Sequence, residues 1–323
     1  MNNLRIIFMG TPEFAVPSLD ILVRNRYEIV GVITAPDRPA GRGLELSVSD
    51  VKKYAVEKRL PVLQPENLKD ESFLAQLKAL NADLQIVVAF RMLPELVWNM
   101  PRLGTINLHG SLLPQYRGAA PINRAVMNGE KETGVSTFFL QHKIDTGKII
   151  FQKHTPIGPD ESAGEIHDRL MIIGADLMLE TVNAVKNGAY PQIDQQSLLK
   201  PGEHLNEAPK IFREDCRIHW NSPALSIHNF IRGLSPYPTA FSEIISPEGK
   251  RFGLKIFKSS LEQKITGDDP GTILTDGTTF LKVSAPDGLI VLHDIQLAGK
   301  RKMGTPEFLR GFPLSGKWVM EII

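Results

Sequence analysis

The sequence predicts an α/β protein, a parallel sheet covered by helices on both faces and followed by a smaller β-barrel. Three observations predict it. Strand-like and helix-like segments alternate over the first 190 residues, the pattern of a parallel sheet built from strand–helix–strand units. Leu84–Ala89 is a continuous apolar run, as a strand buried on both faces requires. Beyond about residue 210 helices give way to short strands separated by turn residues, the pattern of a small closed barrel. A length of 323 residues suits two domains. The expected bounds are 1–190 for the first domain, 191–210 for a linker and 211–323 for the barrel.

The elements follow in order. Arg5–Met9 reads as a first strand and Pro12–Val23 as a helix with Phe14, Leu19, Leu22 and Val23 apolar. Glu28–Thr34 is a second strand, Ser49–Arg59 a helix and Pro61–Leu63 a short strand. Asp70–Leu80 is a helix with Phe73, Leu74 and Leu77 on one face. Leu84–Ala89 and Thr105–Gly110 complete the parallel set. Gly134–His142 and Lys148–His154 flank Lys143-Ile144-Asp145-Thr146-Gly147, so they read as a hairpin. A long helix runs from Ser162 to Asn187. Ser162 and Glu165 have the spacing of a capping box, and Gly188 ends it. Tyr190–Lys210 has little periodicity and supplies the linker. Strands are expected at Arg217–Trp220, Thr239–Ile245, Arg251–Lys258, Thr272–Thr275, Thr278–Ser284 and Leu289–Gln296. One helix, Pro223–Arg232, is capped by Ser222 and stopped by Gly233.

Composition excludes several classes. The 37 Lys+Arg balance 36 Asp+Glu, and both halves are near neutral, so nucleic acid would have to be met by local patches. Ile6-Ile7-Phe8-Met9 is too short for a signal-peptide core. No apolar stretch reaches the roughly 18 residues of a membrane span. A cytoplasmic protein is expected, with no membrane association and a monomeric state. The single cysteine, Cys216, cannot form an internal disulfide, which fits a reducing compartment. It lies beside Glu214 and Asp215, which disfavour a thiolate.

The chemistry concentrates in Asn107-Leu108-His109-Gly110-Ser111-Leu112-Leu113-Pro114. Strand side chains alternate, so Asn107 and His109 share a face. They stand near the carboxyl end of a sheet strand, where open α/β sheets bind ligands. Asp145 lies in a turn that can return across the same sheet, where its carboxylate can hold the imidazole or share its proton. A hydrogen-bonded core histidine remains open on these residues alone. No metal is expected, because His-x-x-x-His and Cys-x-x-Cys spacings are absent. Ser111 lacks the G-x-S-x-G context of a nucleophile. Phe8-Met9-Gly10-Thr11-Pro12 has one glycine, not G-x-G-x-x-G, and reads as an ordinary turn into a helix.

The run Asn107–Ile122, followed by Asp145-Thr146-Gly147, resembles the folate-dependent formyltransferases. The likeness covers nearly the whole chain, including Phe8–Ala15 and Ala35-Pro36-Asp37-Arg38-Pro39-Ala40-Gly41-Arg42-Gly43. That basic loop and the β-rich tail are similar to family members that act on charged tRNA. The resemblance implies a Rossmann-like N-terminal formyltransferase domain and an OB-like C-terminal barrel. It implies transfer of the formyl group of 10-formyltetrahydrofolate to the α-amino group of methionine on initiator methionyl-tRNA, without a metal. Attack on the formyl carbon makes a tetrahedral oxyanion. Asn107 and protonated His109 donate to it, and Asp145 stabilises His109 and helps to move protons.

The resemblance also implies a folate wall formed by Phe90, Arg91, Met92 and Leu93 with Ser111, Leu112, Leu113 and Pro114. Many relatives have Tyr-Gly and one further residue before Leu-Pro, where this chain has Phe90-Arg91-Met92-Leu93-Pro94. Arg38, Arg42, Lys210, Lys300 and Arg301 are expected to meet tRNA, with Lys250, Arg251, Lys255, Lys258 and Lys302 as further candidates. Strand alternation prevents all of these charges from sharing a face. The competing readings are a formyltransferase for glycinamide ribonucleotide or an amino sugar, a non-catalytic RNA-binding protein, and a nicotinamide dehydrogenase. The last lacks the glycine fingerprint.

Overall fold

The computed structural model describes residues 4–40, 45–200 and 202–322. The chain divides into two compact units. The first comprises Met1–Gly118, Gly134–Thr155 and His167–Glu207, and the second Ala119–Thr133, Pro156–Ile166 and Ala208–Ile323.

In the first unit the chain runs β1 (Arg5–Gly10), α1 (Val16–Arg24), β2 (Glu28–Ile33), β3 (Arg38–Ala40), β4 (Glu45–Ser47), α2 (Asp50–Glu57), β5 (Val62–Leu63), α3 (Glu71–Ala79), β6 (Leu84–Val88), α4 (Glu95–Trp98), β7 (Thr105–His109) and β8 (Arg117–Gly118). After α5 (Pro121–Met127), which belongs to the second unit, come β9 (Glu132–Phe139), β10 (Ile149–Pro156), α6 (Ala163–Lys186) and β11 (Glu207–Ala208). A seven-stranded sheet has the order β10-β9-β7-β6-β1-β2-β5. From β5 to β7 the neighbours are parallel, and β9 is antiparallel to β7.

Alternation explains the core. Ile7, Met9, Ile33 and Val87 pack with Phe73 and Leu77 of α3. Ile6 and Phe8 point to the opposite face and are also fully buried, so this strand is covered on both sides. Truncating a buried phenylalanine such as Phe8 to alanine costs about 3–5 kcal/mol. Helix starts follow local chemistry. The Ser49 hydroxyl accepts from the Lys52 amide (3.1 Å), and the Asp70 carboxylate from the Phe73 amide (3.0 Å). The Ser162 amide donates to Glu165 (2.8 Å) and the Glu165 amide donates to the Ser162 hydroxyl (3.3 Å), which is a reciprocal capping box.

The helix expected over Pro12–Val23 opens instead as a 3₁₀ turn, Glu13–Ala15, before α1 begins at Val16. Pro17 lacks an amide hydrogen and suits only the first turn, which sets that start. The segment expected to be a loop from Ala35 contains β3, which pairs antiparallel with β4. Pro39 is tolerated because a two-stranded ribbon has only edges. Helices α4 and α5, and α8 (Thr305–Gly311) of the second unit, are absent from the sequence-based expectation. They span few turns, too few for periodicity to register, and each has a proline within one residue of its start.

The second unit contains α7 (Ala224–Gly233), β12 (Ala240–Ile245), β13 (Arg251–Glu262), β14 (Ile273–Thr275), β15 (Leu281–Ala285), β16 (Gly288–Leu297), β17 (Met303–Gly304), α8 (Thr305–Gly311) and β18 (Val319–Met320). The sheet order is β14-β15-β16-β13-β12-β18. A bridge from Thr272 to Val319 brings the two ends together, so the sheet nearly closes into the expected barrel. Trp220, Ile231, Leu254, Ile256, Val283, Ile290 and Phe308 fill it. The strand expected at Arg217–Trp220 does not form. Arg217 makes one bridge to Phe241, and the chain then turns at His219–Ser222 into α7. Trp220 remains buried and its indole donates to Ser242 (3.0 Å). Among the described residues, no helix is long and apolar enough to cross a membrane.

Candidate active site

The sheet of the first unit changes direction between β1 and β6. The chain builds outward through β2 and β5 on one side, and through β6 and β7 on the other. In open α/β sheets ligands bind outside the carboxyl ends of the strands near such a point. β6 ends at Val88 and β7 at His109, so the Phe90–Leu93 and Ser111–Pro114 segments leave the same edge.

Asn107 and His109 lie two residues apart on β7, which places them on one face roughly 6.5–7 Å apart along the strand. Asn107 is half-buried, and its carboxamide hydrogen-bonds no described residue. His109 is only 6% exposed. Its Nε2 is 2.8 Å from the Tyr116 carbonyl oxygen. A carbonyl can only accept, so this nitrogen carries the hydrogen. Nδ1 is therefore the nitrogen turned to Asp145, whose Oδ2 is 3.8 Å away. A neutral ring offers a lone pair there, whereas a ring that takes up a second proton offers N–H to the carboxylate.

Asp145 comes from the connection between β9 and β10. That connection starts beside the amino end of β7, where the Leu140 amide donates to the Thr105 carbonyl (2.8 Å). It returns far enough for Asp145 to reach His109 at the other end, a five-residue strand of about 16 Å. The Asp145 carboxylate also accepts the Gly118 amide (3.0 Å). Asp145 has a φ of 52°, in the left-handed region. Aspartate enters it more readily than most residues. Gly147 follows, and a Cβ there would lie 1.7 Å from the Phe139 carbonyl oxygen. The Asp-Thr-Gly sequence is thus explained by backbone at both ends. The arrangement can hold and move one proton beside an unengaged amide donor.

The Phe90–Leu93 segment is tied to the sheet. Phe90 and Leu93 pack against the core. The Arg91 guanidinium lies over the Phe90 ring and donates to the carbonyls of Glu66 (2.8 Å) and Pro65. Burial, with Arg38 adding like charge, lowers the Arg91 pKa from its ordinary value. Met92 alone points out, at 74% exposure. In the Ser111–Pro114 segment, the Ser111 hydroxyl donates to the Gln115 carbonyl (2.6 Å), and Leu113 packs on Phe138 and Ile149.

The expected basic residues are scattered. Arg38 is exposed on β3, and Arg42 lies outside the described residues. Lys210 is exposed with its ammonium over the Phe212 ring. Lys300 is exposed, whereas its neighbour Arg301 pairs with Glu307. Lys302 pairs with Asp294 (3.1 Å), and Arg251 with Glu321 (2.7 Å) and Glu243 (3.0 Å). A register shift around Phe257 and Lys258 turns Lys258 outward, as Lys255 already is. Such a bulge re-aims a side chain that simple alternation would bury.

Residues 4–182 match the formyl transferase family, and residues 210–313 match its C-terminal domain. The chain belongs to the formyl transferase family. A Bacteroides thetaiotaomicron protein named methionyl-tRNA formyltransferase is 56% identical over 318 residues, 98% of either chain. A Flavobacterium johnsoniae protein of the same name is 49% identical over 315 residues, again 98% of either chain. Among solved structures, a sugar 3N-formyl transferase with dTDP and 5-N-formyl-THF superposes with a TM-score of 0.65 at 20% identity. It covers 93% of this chain and 100% of its own. At that identity the likeness speaks for the fold.

In this formyl transferase, several residues around Asp145 escaped sequence reasoning. The Gln195 side chain donates to the Asp145 and Gly147 carbonyls (both 2.8 Å) and accepts from Arg117. The Ser136 hydroxyl donates to the Ser111 carbonyl (2.6 Å) and accepts from the Leu113 amide (3.0 Å) and Gln152 (2.8 Å). Ser136 had a signal, because β9 pairs it with His109. Gln195 had none, since it comes from the segment expected to be a linker. Cys216 is buried, which pushes its thiol pKa up, and Asp215 adds to the shift. A thiolate nucleophile is disfavoured there.

Proposed function

We propose that this chain transfers the formyl group of 10-formyltetrahydrofolate to the α-amino group of methionyl initiator tRNA, giving N-formylmethionyl-tRNA for translation initiation. The observation that carries this reading is the Asn107, His109 and Asp145 set at the carboxyl edge of β7. It occurs in a chain about half identical, over nearly its whole length, to proteins named for that activity. The chain acts as a monomer in the cytoplasm. Division of labour follows 1–190 for catalysis, 191–210 as the connection and 211–323 for tRNA binding, with Arg38 and Arg42 at the acceptor end and Lys210, Lys300 and Arg301 on phosphates.

The chemistry requires an amine that has lost its proton, because the lone pair is the nucleophile. An α-amino group titrates near 7.7–8.0, so only about a tenth to a sixth is unprotonated at pH 7 and the rest must first lose a proton. The nitrogen attacks the formyl carbon, and negative charge develops on the formyl oxygen. Asn107 donates its amide hydrogen to that oxygen, and this is the use we assign to its unengaged carboxamide. Nε2–H of His109 stays on the Tyr116 carbonyl, so the second donor is Nδ1–H of the protonated ring, which at 3.8 Å is not hydrogen-bonded to Asp145. That carboxylate balances the charge of the ring. The bond from the formyl carbon to the folate nitrogen then breaks. One proton leaves the new amide nitrogen and one arrives on the folate nitrogen, and the His109–Asp145 pair carries it. Phe90, Arg91, Met92 and Leu93 wall the folate on one side, and Ser111, Leu112, Leu113 and Pro114 on the other.

A direct acceptor comparison tests the assignment. Purified protein with 10-formyltetrahydrofolate is offered charged initiator tRNA, glycinamide ribonucleotide and a nucleotide-linked amino sugar. We expect rapid formylation of the tRNA alone. Preferred formylation of either small amine would reject the assignment.

A further inference from the structure

Gln195 is 2% exposed, and every hydrogen-bonding position of its carboxamide is used. Nε2 donates its two hydrogens to the carbonyls of Asp145 and Gly147, each at 2.8 Å. Oε1 accepts two bonds from Arg117, from Nε at 3.0 Å and Nη2 at 2.6 Å. A carboxamide has two donor hydrogens and two lone pairs, so no capacity is left over. Local structure fixes it from below. Ile193 bridges Ile149 with two 2.9 Å backbone bonds, and Asp194 caps the short 3₁₀ turn that begins at Gln195.

Both ends of this side chain lead to one carboxylate. The two carbonyls belong to the turn that carries Asp145. Arg117 precedes Gly118, whose amide donates to the Asp145 carboxylate (3.0 Å). The turn needs an external hold, because Asp145 sits at a φ of 52°, a conformation that costs an L-residue energy and persists only when its surroundings impose it. The Asp145–His109 separation of 3.8 Å is longer than a hydrogen bond. A small drift of the turn would therefore decide whether the pair can share a proton.

We propose that Gln195 is a positioning residue for formyl transfer, locking the Asp145 turn and the Arg117–Gly118 strand into one frame. The proposal rests on the reading of His109 and Asp145 as the catalytic pair. Gln195 touches neither substrate, so its removal should act on turnover and leave binding almost unchanged. A displacement near 1 Å at a catalytic group costs about 100-fold.

The test is a double-mutant cycle in the full chain, with kcat and both KM values measured for Gln195→Ala, Gln195→Glu, Asp145→Asn and Gln195→Ala combined with Asp145→Asn. We expect Gln195→Ala to lower kcat by about 10–100-fold, with both KM values within about threefold of the parent. Gln195→Glu keeps an acceptor for Arg117 but brings no amide hydrogens to the two carbonyls, so kcat should fall by about tenfold or more. The double variant should be no slower than Asp145→Asn alone, because residues acting through one group are not additive. A general structural role would instead multiply the two losses. Such multiplication, or parent-like kcat in either Gln195 variant while Asp145→Asn is inactive, overturns the proposal. Parent-like kcat in Asp145→Asn overturns the reading of the catalytic pair itself. A Gln195→Ala chain that fails to fold leaves the decision to Gln195→Glu, which retains the Arg117 contact.

Discussion

Two regions of this formyl transferase are built on different principles. The His109 ring, the Asp145 carboxylate and the turn that carries it are held by backbone or by a buried side chain. Tyr116 fixes one imidazole nitrogen, Gly118 holds the carboxylate and Gln195 holds the turn beneath it. Among the described residues, the basic side chains expected to meet tRNA are exposed. Their partners are surface groups, as Arg301 has Glu307, Lys210 has the Phe212 ring and Arg251 has Glu243 and Glu321. The difference teaches where precision is needed. Proton transfer depends on fractions of an ångström, whereas attraction to a phosphate chain sums over charges and tolerates motion. An exposed ion pair contributes about 0–1 kcal/mol, so Arg301 can leave Glu307 for a phosphate at little cost.

The largest effects are expected from removing the unengaged Asn107 or the held His109 and Asp145. Asn107→Ala, His109→Ala and Asp145→Ala should each lower turnover by about 100- to 10,000-fold with the unfolding transition retained. A variant with near-normal turnover would drop that residue from the site. Gly147→Ala comes next. Its Cβ would collide with the Phe139 carbonyl oxygen, so the Asp145 turn must move. Turnover should fall by about tenfold or more. Parent-like turnover would mean that the turn is not what sets the Asp145 position.

How much of this was legible in the sequence follows the same division. The sheet was legible because Leu84–Ala89 and its neighbours are apolar without interruption. Asn107 and His109 were legible because alternation on one strand is a local rule. The partner of His109 was legible only as a turn that could return. Its reach depends on Gly147, Gln195 and Gly118, which are distant from one another in sequence. The outward turn of Lys258 was hidden because a bulge changes the parity that alternation assumes. Arg217–Trp220 reads as a strand because apolar alternation looks alike in a strand and in an extended segment.

Smaller effects probe the exposed region. Lys300→Ala should raise the KM for charged tRNA several-fold and reduce the slope of log affinity against log salt by about one. Arg301→Ala should do less, because the parent must first give up Glu307. Equal losses from both would argue that Arg301 is already committed to tRNA. The smallest expected effect is on stability. His228 is buried against the Pro159 carbonyl (3.2 Å) and Ser259 (3.1 Å). Burial lowers its pKa from the ordinary value of 6.5. The unfolded chain then binds the proton more readily. The stabilisation is complete above pH 6.5 and is lost as pH falls from there through the folded pKa. His228→Asn should flatten thermal stability across that window, and an unchanged slope would reject the contribution.

The central claim is that His109, held by Tyr116 and facing Asp145, serves formyl transfer to charged tRNA. Single-turnover formylation of methionyl initiator tRNA, with enzyme and 10-formyltetrahydrofolate in excess, measures that step without product release. The parent chain should give rapid product and His109→Ala a rate at least about 100-fold lower. Equal rates for the two chains, or no formylated tRNA from the parent, would contradict it.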